Sequence, residues 1–331
     1  MLDLSDLSDL PIPLPGLPPL PLPRSQYLSV LSWTTDHGQD LEEVCLIATR
    51  YDPDLVVLGE LREEQIEDAA RMLGMDAHRS AGTDVTAHRT VILVRRDGPL
   101  VALHNHQKPN SRDPRIPRVN VEFTLRQGVG GRVPGSFTVA GLHLSYCSPT
   151  ERLIAAENVS NLQSLPRLVI GDFNEDPVGE QIDRSRDADR AHWHDRSFYM
   201  PGAGRITATR VDEDLTTQGL IDVARLLGTE EAMRPTSSTV LRALGQSPAG
   251  RGCRVYADEP LALAAVHLEV LAGYDDVSDH HPLLTVFHLP ALRDAIAAAA
   301  ARRGERRQQR VAERVEFKTA RLARELAAGI R

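Results

Sequence analysis

Residues 168–174 join a short apolar run to two side chains with catalytic potential. The run, Leu-Val-Ile, predicts a buried strand that ends in a glycine. Asp172 and Asn174 follow two positions apart, and residues two apart in a strand face the same side. A carboxylate can hold a hard cation or take a proton from water, and an amide can donate to a phosphate oxygen, so the pair suits metal-assisted attack on a phosphate ester. The alternative is an Asx turn, in which both side chains cap their own backbone.

Similar apolar runs recur along the chain and alternate with helical patterns. Predicted strands cover residues 27–33, 55–58, 89–94, 119–125, 137–144, 168–173, 255–257, 266–271 and 283–289. Predicted helices cover residues 39–51, 62–73, 150–164 and 219–227, the last capped by Thr216 or Thr217. This alternation predicts a layered α/β fold in which one sheet packs on another, helices lie outside, and polar strand ends gather on one rim.

The 331 residues divide into a predicted central domain and two different ends. Residues 1–26 are rich in proline and leucine, which favours polyproline II and predicts a flexible tail or a docking segment for a protein partner. Residues 27–289 form the predicted domain, in which the polar segment 175–214 is expected to be a long surface excursion. Residues 290–331 predict a basic helical extension that packs through an intermittent apolar stripe, although its arginines suggest that it could instead attract an anionic polymer. The stripe consists of Leu292, Ile296, Val311, Val315, Leu322, Leu326 and Ile330.

Net charge and cysteine content limit which binding partners and which cellular compartment are expected for this chain. A net charge of -8 argues against a generally basic nucleic-acid-binding protein, but the basic loop 105–118, with Arg112, Arg115 and Arg118, could contact a nucleic-acid backbone or simply be solvated. Three scattered cysteines make no disulfide framework and favour a reducing, cytoplasmic setting. There is no apolar run of about 18 residues, so no membrane span is expected.

Four more polar side chains lie at or next to predicted strands. They are Glu60, His143, Asp279 and His280. Together with Asp172, the carboxylates of Glu60 and Asp279 could form an all-oxygen site of the kind that suits Mg²⁺ or Mn²⁺. His280 or His143 could then stabilise or protonate a phosphate oxygen. Taken singly, each residue has an ordinary alternative: the start of a helix, a structural histidine, or a solvated turn.

The order of these motifs resembles that of the endonuclease/exonuclease/phosphatase family. Gly171-Asp172-Phe173-Asn174 and Ser278-Asp279-His280 match the family motifs outright, and Glu60 and His143 match in position and context. The resemblance covers about residues 27–289. It implies a four-layered α/β sandwich of the deoxyribonuclease I-like type, with two packed mixed sheets flanked by helices. It also implies a Mg²⁺-dependent phosphoesterase that acts on phosphodiesters, as a nuclease does, or on phosphomonoesters.

The resemblance implies a role for each matching residue. Glu60 would hold the Mg²⁺, and Asp279 would contribute to metal binding or orient its neighbours. Asp172 would orient or deprotonate the attacking water, which Asn174 would position together with the phosphate. His280 would contact the scissile phosphate and stabilise its developing charge, and His143 would bind a phosphate oxygen or act as a general acid.

Two positions depart from the family pattern. Thr34 stands where the family has an asparagine that binds substrate, and its hydroxyl offers less reach than an amide. Cys253, or Tyr256 in a shifted alignment, stands where an aspartate orients the catalytic histidine, and Asp258 is the nearest carboxylate that could replace it. These changes leave an alternative in which the chain is a weakened or inactive relative that binds phosphate-bearing ligands or a protein.

Overall fold

A computed structural model of the chain describes residues 22–82, 86–106, 118–128, 131–159, 165–181, 190–243 and 249–327. Most of the proline-rich tail and of the basic loop 105–118 therefore lie outside the described residues. The described residues form fifteen strands: β1 (Tyr27–Thr34), β2 (Leu55–Arg62), β3 (Met75–Arg79), β4 (His88–Arg95), β5 (Leu100–Asn105), β6 (Val119–Gln127), β7 (Gly131–Arg132), β8 (Phe137–His143), β9 (Arg167–Asp172), β10 (Ser197–Met200), β11 (Gly204–Thr207), β12 (Leu220–Asp222), β13 (Cys253–Asp258), β14 (Ala265–Val270) and β15 (Leu283–His288). They also form nine α-helices: α1 (Leu41–Arg50), α2 (Glu63–Leu73), α3 (Pro149–Glu157), α4 (Arg190–Asp195), α5 (Arg210–Thr217), α6 (Val223–Leu227), α7 (Thr239–Ala243), α8 (Glu259–Ala262) and α9 (Leu289–Ala327).

Two mixed sheets form the centre of the protein. The first has the strand order β14-β15-β1-β2-β4-β3, and the second has the order β12-β13-β9-β8-β6-β5 with β7 paired to β6. Strands β10 and β11 form a separate hairpin. Each large sheet contains one parallel pair near its centre, β1 with β2 and β8 with β9.

Alternating side chains of the strands build three apolar layers. Leu55 and Val57 of β2 join the core between the sheets, whereas Val56 and Leu58 face the core formed with α1 and α2. In β9, Ile170 joins the central core and Val169 faces the core formed with α3 and α5. Because residues in a strand alternate between the two faces of a sheet, buried strands need apolar side chains on both sides. The result is helix, sheet, sheet, helix, as predicted from the sequence.

The ends of β1, β2, β8 and β9 meet on one rim of the sandwich. Thr34 pairs with Gly59 at the end of one parallel pair, and His143 pairs with Asp172 at the end of the other. Gly171 allows β8 and β9 to lie this close together. It has a φ of +145°, and a Cβ atom there would lie 1.8 Å from the carbonyl oxygen of Leu142. The strand register therefore carries the predicted catalytic motifs to one place.

Two predictions about local structure are wrong, and two strands of the large sheets were missed. The predicted helix at 219–227 is a short strand, β12, followed by α6, and its cap is Asp222, which accepts from the backbone N–H of Ala224 at 3.0 Å. Strands β3 and β5 were not predicted. The segment 175–214 is not a surface excursion, since it contains α4, α5, β10 and β11, and its Glu175 and Asp212 are buried. The buried Arg152 pairs with Glu175 and the partly exposed Arg225 pairs with Asp212, so polarity there does not signify exposure.

Helix α3 begins with a local hydrogen bond that can be tested by mutation. Ser148 precedes Pro149 and accepts from the backbone N–H of Glu151 at 3.2 Å. We expect Ser148→Ala to lower the free energy of unfolding by about 1 kcal/mol in urea denaturation, because one N–H at the helix start loses its acceptor. The matched control is Ser148→Asp, which keeps a capping oxygen and should retain most of the stability. Equal loss in both variants would contradict this role for the cap.

Helix α9 is 39 residues long, and only its first part packs on the domain. Leu289, Leu292 and Ile296 are buried in the core between the sheets. In contrast, every side chain from Ala301 to Arg321 is exposed, including the stripe residues Val311 and Val315, which are 55% and 58% exposed. The prediction that the helix packs along its whole apolar stripe is therefore wrong for residues 301–321. None of the helices in the described part of the chain has the length and apolar character needed to cross a membrane.

Candidate active site

A cleft of about 410 Å³ opens at the rim where the catalytic motifs meet. Its polar lining comes from strand ends, from helix α4 and from the loops beside them. It is lined by Asp36, His37, Glu60, His143, Tyr146, Asp172, Asn174, Glu175, Asp176, His192, Asp195, Arg196, Thr236, Ser237, Leu241, Gly250, Gly252, Asp279 and His280. Every residue that the sequence placed at the site lines this cleft, except Thr34.

Asp172 is the most deeply placed carboxylate of the cleft, with 1% of its surface exposed. Its Oδ1 accepts from the backbone N–H of Asn174 at 2.8 Å, but its Oδ2 has no hydrogen-bond partner among the described residues. Burial opposes ionisation, yet His280, His143 and Arg196 outweigh it and lower the pKa of Asp172 below its ordinary value. The site therefore holds a carboxylate with one oxygen ready to accept from a water or bind a cation.

Glu60 is held between two imidazoles. Its Oε1 lies 3.3 Å from Nε2 of His143, and its Oε2 lies 3.6 Å from Nδ1 of His37. The backbone N–H of His37 also donates to Oε2 at 3.2 Å. Glu60 has a φ of 67°, in the left-handed region that side chains other than glycine seldom adopt. Such a conformation at the end of β2 turns the carboxylate toward the cleft and is typical of functional positions.

His280 bridges Asp172 and the unusual cysteine. Its Nε2 lies 3.6 Å from Oδ2 of Asp172, and its Nδ1 lies 3.3 Å from Sγ of Cys253. Burial raises the pKa of the Cys253 thiol, which favours a neutral sulfur at this position. Burial also disfavours charge on His280, but Cys253 and Asp172 more than offset it and raise the pKa of His280 well above its ordinary value. Since the thiol is favoured in its neutral form, Asp172 is the carboxylate that best supports a charged ring.

The two positions that depart from the family pattern lie against each other. The Oγ1 of Thr34 is 3.9 Å from Sγ of Cys253, and both residues are buried behind the cleft wall. The carbonyl oxygen of Thr34 accepts from the hydroxyl of Ser278 at 2.7 Å, which connects the end of β1 to the Ser-Asp-His motif. Thr34 is thus placed to support the site from behind, and the structure does not bring it to the cleft surface as a substrate contact.

The structure separates Asp258 from the candidate histidine. Asp258 ends β13, whereas Cys253 begins it, and Asp258 binds Arg167 through contacts of 2.7 to 3.1 Å at the far end of β9. It cannot replace the orienting aspartate. Tyr256 donates to Asp212 in the outer core and does not face His280 either. Cys253 is therefore the residue at the orienting position.

Asn174 shapes the loop that follows Asp172. Its Nδ2 donates to the carbonyl oxygen of Leu144 at 2.9 Å, and its φ is 52°. One N–H of the amide is therefore used in a hydrogen bond to the backbone after β8, and the residue still lines the cleft. The backbone turn that keeps Asn174 beside Asp172 also lets Asp172 accept its N–H, as in the Asx turn that the sequence left as an alternative.

Asp279 completes a crowded group of carboxylates. Burial raises the pKa of Asp279, and the nearby charges of Glu60, Asp36 and Asp172 raise it further against the opposing effect of His280. Four carboxylates that repel one another, together with the unpartnered Oδ2 of Asp172, make an environment that a hard divalent cation would relieve. Glu60, Asp172 and Asp279 would supply hard oxygen ligands of the kind that Mg²⁺ or Mn²⁺ takes. Among the described residues, the ligand atoms that lie within 4.8 Å of one another are those of Asp172, Cys253 and His280.

The sequence did not single out the arginines that hold the cleft together. Arg152 is fully buried and joins three loops: it binds Glu175 at 3.2 Å, the carbonyl of Ser145 at 2.8 Å and the carbonyl of Asp195 at 2.7 Å. Arg196 donates to the carbonyl of Asn174 and is a cationic member of the cleft lining. His192 of helix α4 also lines the cleft.

No protein-family model and no curated protein sequence matches this chain. Solved structures match it well. An endonuclease/exonuclease/phosphatase family protein from Bacteroides thetaiotaomicron has a TM-score of 0.54 and 15% identity over 78% of this chain and 97% of its own. The mannosyl-6-phosphatase of Bacteroides thetaiotaomicron VPI-5482 has a TM-score of 0.53 and 15% identity, with 78% and 98% covered.

A nuclease shows the same level of likeness. The AP endonuclease from Archaeoglobus fulgidus has a TM-score of 0.55 and 16% identity over 78% of this chain and 99% of its own. At these identities the likeness establishes the fold, and it confirms the architecture that the motifs predicted. This chain has the α/β sandwich fold of the endonuclease/exonuclease/phosphatase proteins.

Proposed function

We propose that this chain is a metal-dependent phosphoesterase that hydrolyses phosphate ester bonds, with nucleic acid as one candidate substrate class. The observation that carries the proposal is Asp172: a buried carboxylate with one unpartnered oxygen, flanked by His280 and His143 at the floor of an open cleft. The fold likeness to nucleases and to a phosphatase supports the same reaction class.

In the proposed reaction, Asp172 orients a water through its Oδ2 and accepts the proton that the water loses on attack. His280 contributes its Nε2 side, 3.6 Å from Asp172, to stabilise the negative charge that develops on the phosphate. His143 lies beside Glu60 and binds a phosphate oxygen or protonates the leaving group. Asn174 holds the loop that keeps Asp172 and the substrate in register.

Glu60 and Asp279, with Asp172, would hold the Mg²⁺ or Mn²⁺, which when bound supplies positive charge to the phosphate and lowers the pKa of a bound water. The two imidazoles beside Glu60 and the crowded charge around Asp279 are consistent with a cation-binding carboxylate group.

A substrate panel tests the proposal. The purified chain would be assayed with Mg²⁺ and with Mn²⁺ on single-stranded and duplex DNA, RNA, nucleotides, inositol phosphates, bis(p-nitrophenyl) phosphate and p-nitrophenyl phosphate. We expect hydrolysis of at least one member, and a Glu60→Gln variant should lose it. A chain that binds neither cation in calorimetry and hydrolyses nothing on the panel would overturn the proposal.

The second candidate is a weakened or inactive relative that binds phosphate-bearing ligands or a protein. It is favoured by the pairing of Thr34 with Cys253 behind His280, since a neutral thiol supports an imidazolium less well than a carboxylate does. This candidate predicts phosphate binding without turnover, which calorimetry with a nonhydrolysable phosphodiester would detect.

A further inference from the structure

The exposed part of helix α9 has one strongly basic face. Residues 301–324 contain nine basic and three acidic side chains, although the whole chain carries a net charge of -8. Residues three or four apart share a helix face, and the basic residues follow that spacing. They are Arg303, Arg306, Arg307, Arg310, Arg314, Lys318, Arg321 and Arg324. The acids Glu305 and Glu316 fall outside this face, and Glu313 lies at its edge.

The charged side chains of the basic face are exposed to solvent. Within the described residues, no ion pair of 4.0 Å or less involves Arg306, Arg307, Arg310 or Arg314, whereas Arg321 pairs with Glu325 at 2.7 Å. Alanine, arginine, glutamate and glutamine are strong helix formers, which favours the helical conformation of this exposed segment. A rod of this kind presents a continuous positive surface.

The position of Phe317 distinguishes between two anionic partners for this surface, a membrane and a single-stranded nucleic acid. Phe317 is 70% exposed and lies on the basic face, one turn from Arg314 and Arg321, whereas Val315 lies outside that face and Val311 lies at its opposite edge from Phe317. A helix that lies on a membrane carries its aromatic residues on the apolar face, opposite the basic one. An aromatic ring set among arginines instead matches the binding of single-stranded nucleic acid, in which cations contact phosphates and rings stack on bases.

The helix leaves the sandwich far from the candidate active site. Arg302, Arg303 and Arg306 line a groove with Pro166 and Asp258, which lie at the opposite ends of β9 and β13 from Asp172 and Cys253. Six strand residues correspond to about 20 Å. The basic face is therefore a second contact surface, separate from the cleft.

We propose that the exposed segment of α9, residues 301–324, is a docking arm for single-stranded nucleic acid. The arginines contact successive phosphates and Phe317 stacks on a base. For catalysis this inference rests on the proposed phosphoesterase function: a strand bound by the arm would reach the cleft at a raised local concentration. Binding to the arm itself requires neither the metal nor the reaction.

The test measures binding of a labelled 30-nucleotide single-stranded DNA to the full chain in EDTA, between 50 and 300 mM salt. The arm variant carries Arg306→Gln, Arg310→Gln and Arg314→Gln. The control variant carries Gln308→Glu, Ala312→Glu and Thr319→Glu. These substitutions lie on the other face and lower the net charge by the same amount as the arm variant does. We expect the arm variant to bind at least about tenfold more weakly, with a salt slope lower by about 2, because three phosphate contacts are lost.

The control variant should retain most of the binding, and circular dichroism would verify the helix in both variants. Phe317→Ala should weaken binding of the single strand by about tenfold and binding of the matching duplex much less. Equal binding by the arm and control variants would overturn the proposal. The proposal would also be overturned if the arm variant bound DNA as the native chain does but lost attachment to vesicles with 30% phosphatidylserine, or lost self-association in sedimentation.

The outcome is separable from the proposed activity. Hydrolysis of bis(p-nitrophenyl) phosphate should be the same in the native and arm variants, while the KM for the 30-nucleotide strand should rise in the arm variant. If no substrate is hydrolysed at all, the phosphoesterase proposal fails, but the binding assay in EDTA still decides whether the arm docks nucleic acid.

Discussion

Asp172→Asn is expected to lower the rate of phosphoester hydrolysis at least about a hundredfold, on the substrate that the panel identifies. The amide keeps the shape of the side chain and can still accept the N–H of Asn174 through its Oδ1. It cannot accept a proton from water, and it removes a negative charge from the Oδ2 position, which accepts no hydrogen bond from the described residues. Loss of a water-activating group has an effect of this size.

The measurement is kcat with saturating Mg²⁺, accompanied by a thermal unfolding curve to verify that the variant folds. Asp76→Asn provides the matched control, because Asp76 is exposed on β3 and pairs with Arg96 away from the cleft. The control should keep the native rate. An Asp172→Asn variant that is folded and fully active would contradict the assigned role.

Removal of the cation should have an equally large effect. We expect a chelator to abolish hydrolysis and either Mg²⁺ or Mn²⁺ to restore it, since Glu60, Asp172 and Asp279 offer hard oxygen ligands. Isothermal calorimetry on the Glu60→Gln variant should show weaker cation binding than the native chain shows. Full activity in the presence of the chelator would exclude this mechanism.

The double variant Cys253→Asp with Thr34→Asn is expected to raise phosphoesterase activity by about tenfold or more. A carboxylate at position 253 would face Nδ1 of His280, which now lies 3.3 Å from the sulfur, and one charge-assisted hydrogen bond contributes roughly 1.5–3 kcal/mol. Because Thr34 and Cys253 are in contact at 3.9 Å, we expect the two changes to act together and the double variant to exceed the product of the single effects.

Cys253→Ser is the control for this prediction. It keeps a neutral group of similar size beside His280 and should give no gain in rate. A folded double variant that is slower than the native chain would show that the thiol itself is the functional partner of His280. Asp258 could not then be invoked as the orienting group, since Arg167 holds it at the other end of β13.

Much of the fold could be predicted from the sequence because its signals are local. Apolar runs bounded by turns marked nine strands, and Leu168-Val169-Ile170 became the buried strand beside β8. The polar residues after these runs were correctly expected on one rim, since strands in parallel pairs end together. Strand β3 was missed because its residues give no apolar run, whereas β5 begins with the short apolar run Leu100–Leu103 that was not assigned to a strand.

The partners of the candidate site residues depend on contacts between distant parts of the chain. The contacts of Cys253 with His280 and of Thr34 with Cys253 join residues 27 and 219 positions apart, and no local pattern reveals them. The same holds for Arg152, whose charge suggested the surface but whose burial is compensated by Glu175 and backbone carbonyls. The packing of helix α9 was likewise decided in three dimensions. Its apolar stripe extends beyond residue 300, but Val311 and Val315 are exposed, and so is every other side chain of residues 301–321.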